Sequence, residues 1–180
     1  MAITIRPFEA SDIDAIAAIY GEHVRSGFGS YELQAPSVEE MRGRFDKLVN
    51  GNFPIRIACE ADGTVVGYAY AGPYHGRPGW RFTVEDSVYI AADHMGKGIG
   101  NALLLDLIHV TQAGPWRQMI AVIGDSANNK ASVALHKRHG FEMIGTLKDT
   151  GWKGEAWRDT AIMQLALSEG GITAPSDKVG

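Results

Sequence analysis

Residues 92–108 read ADHMGKGIGNALLLDLI, with Gly96, Gly98 and Gly100 at every second position and an apolar run directly after them. The preceding stretch, WRFTVEDSVYIAAD (80–93), carries β-branched and aromatic residues and reads as a strand, while Gly98 to about Gln112 reads as a helix. Where a strand hands over to a helix, the first helical N–H groups lack partners and the helix dipole adds partial positive charge. Missing side chains then let an anion approach the backbone closely. A phosphate-bearing ligand is implied. The spacing is GxGxG and Asn101 follows, so neither a P-loop nor a dinucleotide fingerprint fits.

Working outward, the periodicity alternates between helix and strand without an internal repeat, which predicts an α/β chain. ITIRPF gives a first strand. Ser11, three residues before Asp14, predicts the start of a helix whose apolar face is Ile13, Ile16, Tyr20 and Val24, and Ser37 with Glu40 predicts a second, bearing Met41, Phe45 and Leu48. FPIRIACEADGTVVGYAYAGP (53–73) reads as a hairpin turning at Asp62 and Gly63. After the glycines come a strand in RQMIAVIG (117–124), a helix in ASVALHKRHG ending at Gly140, and two closing strands in FEMIGTL (141–147) and DTAIMQLAL (159–167). One domain over 1–167 is expected, with 168–180 a flexible tail.

Composition narrows the partners. The 180 residues suffice to bury about two thirds of the unfolded surface. A net charge of −4 without a basic run argues against nucleic acid, and no stretch approaches the roughly 18 apolar residues of a membrane span. The start, MAITIRPFEASD, has no basic segment followed by an apolar one, so a cytoplasmic location is expected. The single cysteine, Cys59, sits in an apolar run and reads as a core thiol. The six histidines are scattered, and no metal site is expected.

MGKGIG (95–100) resembles the pyrophosphate loop of the GNAT superfamily of acetyl-CoA-dependent N-acetyltransferases, with Met95 where that family usually has Gln or Arg. NKASVALHKRHGF (129–141) is similar to the family's second segment, an Asn, a Ser three residues on and a short helix closing in Gly-Phe. The segments AYAGPY, TVEDSVYI, AVIG, SVALHKRHGF and GWKGEAWRD together resemble the phosphinothricin acetyltransferase-like branch, which also acts on methionine sulfoximine and methionine sulfone. The resemblance implies a GNAT fold, a mixed and mostly antiparallel sheet of about six to seven strands with about four helices, splayed where acetyl-CoA binds, and often a homodimer.

It also implies roles. Acyl transfer from a thioester needs a neutral amine, and an α-amino group is mostly protonated at neutral pH, so a base is required. Glu85 resembles the branch's catalytic carboxylate, and strand alternation puts its neighbour Asp86 on the opposite face unless a bulge intervenes. His136 stands where an acid would serve the leaving thiolate, as donor or as a group orienting the sulfur; His139 is taken as a helix residue without a role. The cofactor side is expected to comprise Val88, Tyr89, Ile90, Met95, Gly96, Lys97, Gly98, Ile99, Gly100, Asn101, Asn129 and Ser132, with a backbone N–H near Tyr89 receiving the oxyanion. The acceptor side is expected to comprise Phe28, Tyr31, His75, Arg77, Arg81, Val84 and Glu85, with Arg77 favoured to hold a carboxylate. Trp80, Trp152 and Trp157 line the pocket, a dimer interface or the core. The expected activity is acetylation of a small amino-acid-like acceptor. The alternatives are a protein or peptide N-acetyltransferase and a non-catalytic acyl-CoA-binding module.

Overall fold

The structure, a computed structural model, describes residues 2–175. In chain order it contains β1 (Thr4–Pro7), α1 (Ile13–Ser26), α2 (Val38–Asn50), β2 (Ile55–Cys59), β3 (Val65–Pro73), β4 (Thr83–Ile90), α3 (Ile99–Gln112), β5 (Gln118–Gly124), α4 (Lys130–Arg138), β6 (Glu142–Lys153) and β7 (Ala156–Ala166). The strands form one seven-stranded sheet in the order β1-β2-β3-β4-β5-β7-β6. Every neighbouring pair is antiparallel except β4 and β5, which run parallel. The mixed, mostly antiparallel architecture is the one the family resemblance implies.

Each face of the sheet carries its own apolar layer. Ile13, Ile16 and Val24 of α1 and Met41 and Phe45 of α2 pack on Ile57 and Tyr68, whereas Leu103, Leu104 and Leu107 of α3 pack on Ala58, Ala69 and Val84 on the other side. Consecutive strand residues thus supply opposite layers, as the period of two requires. Cys59 is buried in the first layer, which fits its reading as a core thiol.

Local chemistry departs from expectation in two places. Ser11 does not cap α1. A 3-10 turn over Ala10–Asp12 precedes the helix, and the Asp12 carboxylate instead accepts from the Glu9 N–H (2.8 Å) and from Arg6 (2.6 Å). The charged partner Arg6 on β1 makes Asp12 the better acceptor. The Ser37 cap does form, accepting from the Glu40 N–H at 3.1 Å. The second departure is the closing pair, which is much longer than the apolar segments predict: β6 and β7 span 12 and 11 residues and turn at Gly154 and Glu155. The segment 168–174 makes its own contacts: the Ser168 hydroxyl donates to the Gln112 carbonyl at 3.1 Å, and Arg117 donates to the Thr173 hydroxyl at 2.5 Å. The last part of the expected tail, 176–180, lies outside the described residues.

The feature that positions the site is where β4 and β5 part. Their ladder pairs Thr83 with Gln118 through Asp86 with Ala121 and ends there. β4 continues on β3 to Ile90 without a register shift, and β5 continues on β7 to Gly124. A wedge opens between them.

Candidate active site

The wedge leads into a cleft of about 390 Å3 that runs through the sheet. Ser87 and Tyr89, with His23 of α1, line it on the α1/α2 side, and Asp86, Val88 and His136 line it on the α3/α4 side. The loop Gly27–Ser30 roofs it. Among the expected residues, Phe28, Val88, Tyr89, Met95, Asn129, Ser132 and His136 meet at this cleft.

Unbroken pairing with β3 fixes which way each β4 residue faces. Glu85 pairs with Gly72, Ser87 with Tyr70 and Tyr89 with Tyr68, on the α1/α2 face; Asp86 pairs with Ala71 and Val88 with Ala69, on the other. Glu85 therefore stands at the last rungs before the wedge, behind the cleft wall. Burial, and then the charge of Asp86, push its carboxyl up to about 7. The backbone follows the same alternation. The Ala91 N–H donates to the Val66 carbonyl, so the N–H groups of Val88 and Ile90 point away from β3 and into the wedge. The Tyr89 N–H itself faces β3, so the backbone N–H groups near Tyr89 that open to the wedge are those of Val88 and Ile90. The Ile90 carbonyl, also turned to the wedge, accepts from His23 Nε2 at 2.8 Å.

At the glycine turn, Gly96 (φ 76°) and Gly98 (φ 82°) take left-handed backbone that other residues rarely adopt. A Cβ at either would enter open space, so the turn presents bare backbone. The first intrahelical bond of α3 runs from the Ala102 N–H to the Gly98 carbonyl, which leaves the preceding N–H groups to an anion. These features fit a pyrophosphate at the turn and a thioester arm in the wedge. Lys97 is exposed beside it, and Ile99 is buried and anchors the helix beneath it. Gly100 packs against Leu135 of α4. Asn101 Oδ1 accepts from His139 Nε2 at 3.0 Å, tying α3 to the end of α4 and giving His139 a packing role.

The acceptor-side residues are less concentrated. Phe28 packs at the cleft, its ring 4.1 Å beneath the Arg158 guanidinium. The Tyr31 hydroxyl lies 3.0 Å from the Thr160 hydroxyl and accepts from the Asp125 N–H at 3.2 Å, so it braces the loop. Val84 is fully buried in the α3 layer. His75, Arg77 and Arg81 sit in the β3–β4 loop, outside the cleft wall. There His75 packs with Tyr74 and Trp80, and Arg81 lies over Phe82. Arg77 is exposed, two residues from that aromatic cluster.

Sequence reasoning gave no role to Asp86, His23 or Lys153. Asp86 is bonded to His136 from 50 residues away, a relation no local spacing reveals. Lys153 donates to the carbonyls of Val24 and Ser30 and so fastens the roof loop. Among the described residues no group of His, Cys, Asp or Glu is placed to hold a metal ion.

Comparison with known proteins agrees with this geometry. The acetyltransferase (GNAT) domain family matches residues 5–162. The chain is 48% identical over 174 residues to phosphinothricin N-acetyltransferase of Alcaligenes faecalis, covering 97% of this chain and 87% of that one. It is 36% identical over 167 residues to an L-methionine sulfoximine/L-methionine sulfone acetyltransferase of Pseudomonas aeruginosa, covering 93% and 96%. A crystal structure of a GNAT superfamily phosphinothricin acetyltransferase from Sinorhizobium meliloti with AcCoA superimposes with a TM-score of 0.95 at 43% identity, covering 99% of this chain and 95% of that chain. The fold and the cleft define a GNAT acetyltransferase, and the chain belongs to that family.

Proposed function

We propose that the protein transfers the acetyl group of acetyl-CoA to the α-amino group of a small amino-acid-like acceptor of the phosphinothricin, methionine sulfoximine or methionine sulfone type. The observation that carries this reading is the wedge between β4 and β5, with the half-buried Glu85 carboxylate beside its apex and a bare glycine turn at its mouth. The named relatives support the acceptor class.

In this reading the pyrophosphate rests on Gly96 to Gly100 and the thioester lies in the wedge. Glu85 takes a proton from the acceptor ammonium, directly or through a water, and its raised pKa matches a base working near neutral pH. The amine nitrogen then bonds to the thioester carbon, and the Val88 N–H receives the developing oxyanion. The carbon–sulfur bond breaks, and His136 serves the leaving sulfur. Phe28 supplies an apolar wall for a methionine-like side chain, and Arg77 is the candidate to meet the acceptor's carboxylate.

The working unit is a cytoplasmic homodimer of single domains spanning 1–167. Its interface is the outer strand β6 and its hairpin, where Trp152 and Trp157 are 54% and 60% exposed and stacked edge to face. Ile144 and Leu147 extend that apolar surface.

Thiol release from acetyl-CoA, followed with phosphinothricin, methionine sulfoximine, methionine sulfone and ordinary amino acids in parallel, tests the reading. A clear preference for one of the first three supports it. Preference for peptide N-termini would move the protein to another acceptor class.

A further inference from the structure

The scheme above uses Glu85 and leaves its neighbour Asp86 without a task. Asp86 is only 6% exposed, and its Oδ1 is buried with no hydrogen-bond partner among the described residues. Its Oδ2 lies 3.0 Å from His136 Nε2, and His136 is itself 4% exposed. On the ring's other side, Nδ1 lies 2.7 Å from the Ser132 carbonyl oxygen. A carbonyl only accepts, and so does a carboxylate. With Asp86 ionised, both ring nitrogens donate, which makes His136 an imidazolium; the Ser132 hydroxyl, 3.4 Å from Nδ1, is the more distant partner on that side. A neutral ring would set a lone pair against one of these two oxygens.

The surroundings leave Asp86 as the group that decides this charge. Arg138 and His139 follow on the same helix, and Phe141 packs its edge on the ring at 4.9 Å between centroids. None of these holds a negative charge; among the described residues the carboxylate bonded to the ring is that of Asp86, while Asp125, which also lines the cleft, is bonded to Asn128 and Arg158. Burial pulls the imidazole down, but the bond to Asp86, its charge and the Ser132 carbonyl outweigh this and leave His136 above the usual histidine value. A buried carboxylate with one oxygen unpartnered costs free energy, which makes Asp86 a site that folding alone does not explain.

We propose that Asp86 is a positioning residue for acyl transfer: it holds His136 as a cation whose Nε2–H, bonded to Asp86 Oδ2 at the cleft wall, is shared with the leaving sulfur and passes to it. The inference rests on the acetyl-transfer reading above. As the carbon–sulfur bond breaks, its electron pair stays on sulfur; the Nε2–H bond breaks and an S–H bond forms. The ring is left neutral with Nδ1–H still on the Ser132 carbonyl. Its bare Nε2 now faces the Asp86 carboxylate, which drives the ring to recover a proton from solvent. The amine nitrogen sheds a second proton as the tetrahedral adduct becomes the amide, and this proton and the one Glu85 took from the ammonium both pass to solvent; His136 recovers one from solvent, so one proton is released per turnover and the count closes.

Nitrogen-15 NMR of the histidine-labelled free protein tests the charge state without acetyl-CoA. Both His136 nitrogens should carry protons at pH 7, and Asp86→Asn should shift the ring's titration to lower pH. In turnover, Asp86→Asn should lower kcat by roughly 10²-fold, the range of a lost proton donor, while KM for acetyl-CoA stays within about twofold. The loss should deepen as pH rises past the ring's new titration point, and Asp86→Glu, which keeps the charge, should recover part of it. A wild-type enzyme that turns over with a singly protonated His136, or an Asp86→Asn pH profile parallel to wild type, would overturn this inference alone. No turnover of wild type with any amine would remove the acetyl-transfer reading and this role with it, although the imidazolium would still be seen by NMR.

Discussion

Lys153 Nζ donates to the Ser30 carbonyl at 2.8 Å, which fastens the β6–β7 hairpin to the loop roofing the cleft. A second bond, to the Val24 carbonyl at 2.9 Å, holds the end of α1 in the same grip. Burial lowers the ammonium's pKa, with Glu32 opposing that shift. The roof loop and the end of α1 are thus held from the far end of the chain.

Lys153→Met should strand both carbonyls and cost about 2 kcal/mol, in the range for buried groups left without partners. Urea unfolding reads the loss. The KM for the acceptor should rise more than the KM for acetyl-CoA if the proposed acceptor wall at Phe28, carried by the roof loop, is displaced.

Gly98→Ala places a Cβ in open space, so any penalty comes from its backbone φ of 82°. About 1 kcal/mol is expected, or a Tm lower by roughly 2–4 °C for a chain of this size. Acetyl-CoA affinity, read by calorimetry, should fall as the turn relaxes away from the geometry that offers its N–H groups.

The pH dependence follows from Glu85. Burial first, then Asp86, raise its carboxyl from the ordinary 4.5 to about 7, and only the ionised form is a base. The kcat/KM should therefore climb with pH and level off above about 7. For stability the sign is the reverse. The fold favours the protonated group, so its contribution is complete below 4.5 and lost as pH rises through about 7. Unfolding at pH 4.5 and pH 8 should show a smaller fall in Glu85→Gln than in wild type.

Replacing Trp152 and Trp157 together with serine should convert a dimer into a folded monomer in sedimentation. A wild-type protein that sediments as a monomer would contradict the proposed interface.

Most of the fold was legible because both apolar layers repeat at helical or strand spacing, and the glycine turn because its residues adjoin in sequence. The length of the last hairpin was not. Residues such as Lys148, Asp149 and Thr150 are exposed on β6, so no alternation marks them as strand. The Ser11 cap was misjudged because Asp12 answers to Arg6, a tertiary partner on β1. Strand parity had already placed Asp86 opposite Glu85; only the fold shows that α4 brings His136 to meet it. The Lys153 staple joins positions 123 residues apart and has no local signature.

The central claim is that Glu85 performs base catalysis on an amine at the apex of the wedge. Thiol release by Glu85→Gln, measured across pH with a preferred acceptor alongside acetyl-CoA binding by calorimetry, tests it most directly. The account predicts unchanged acetyl-CoA affinity, turnover lower by roughly 10²-fold or more, and loss of the rise in kcat/KM near pH 7. Wild-type turnover with the same pH profile in Glu85→Gln would contradict it.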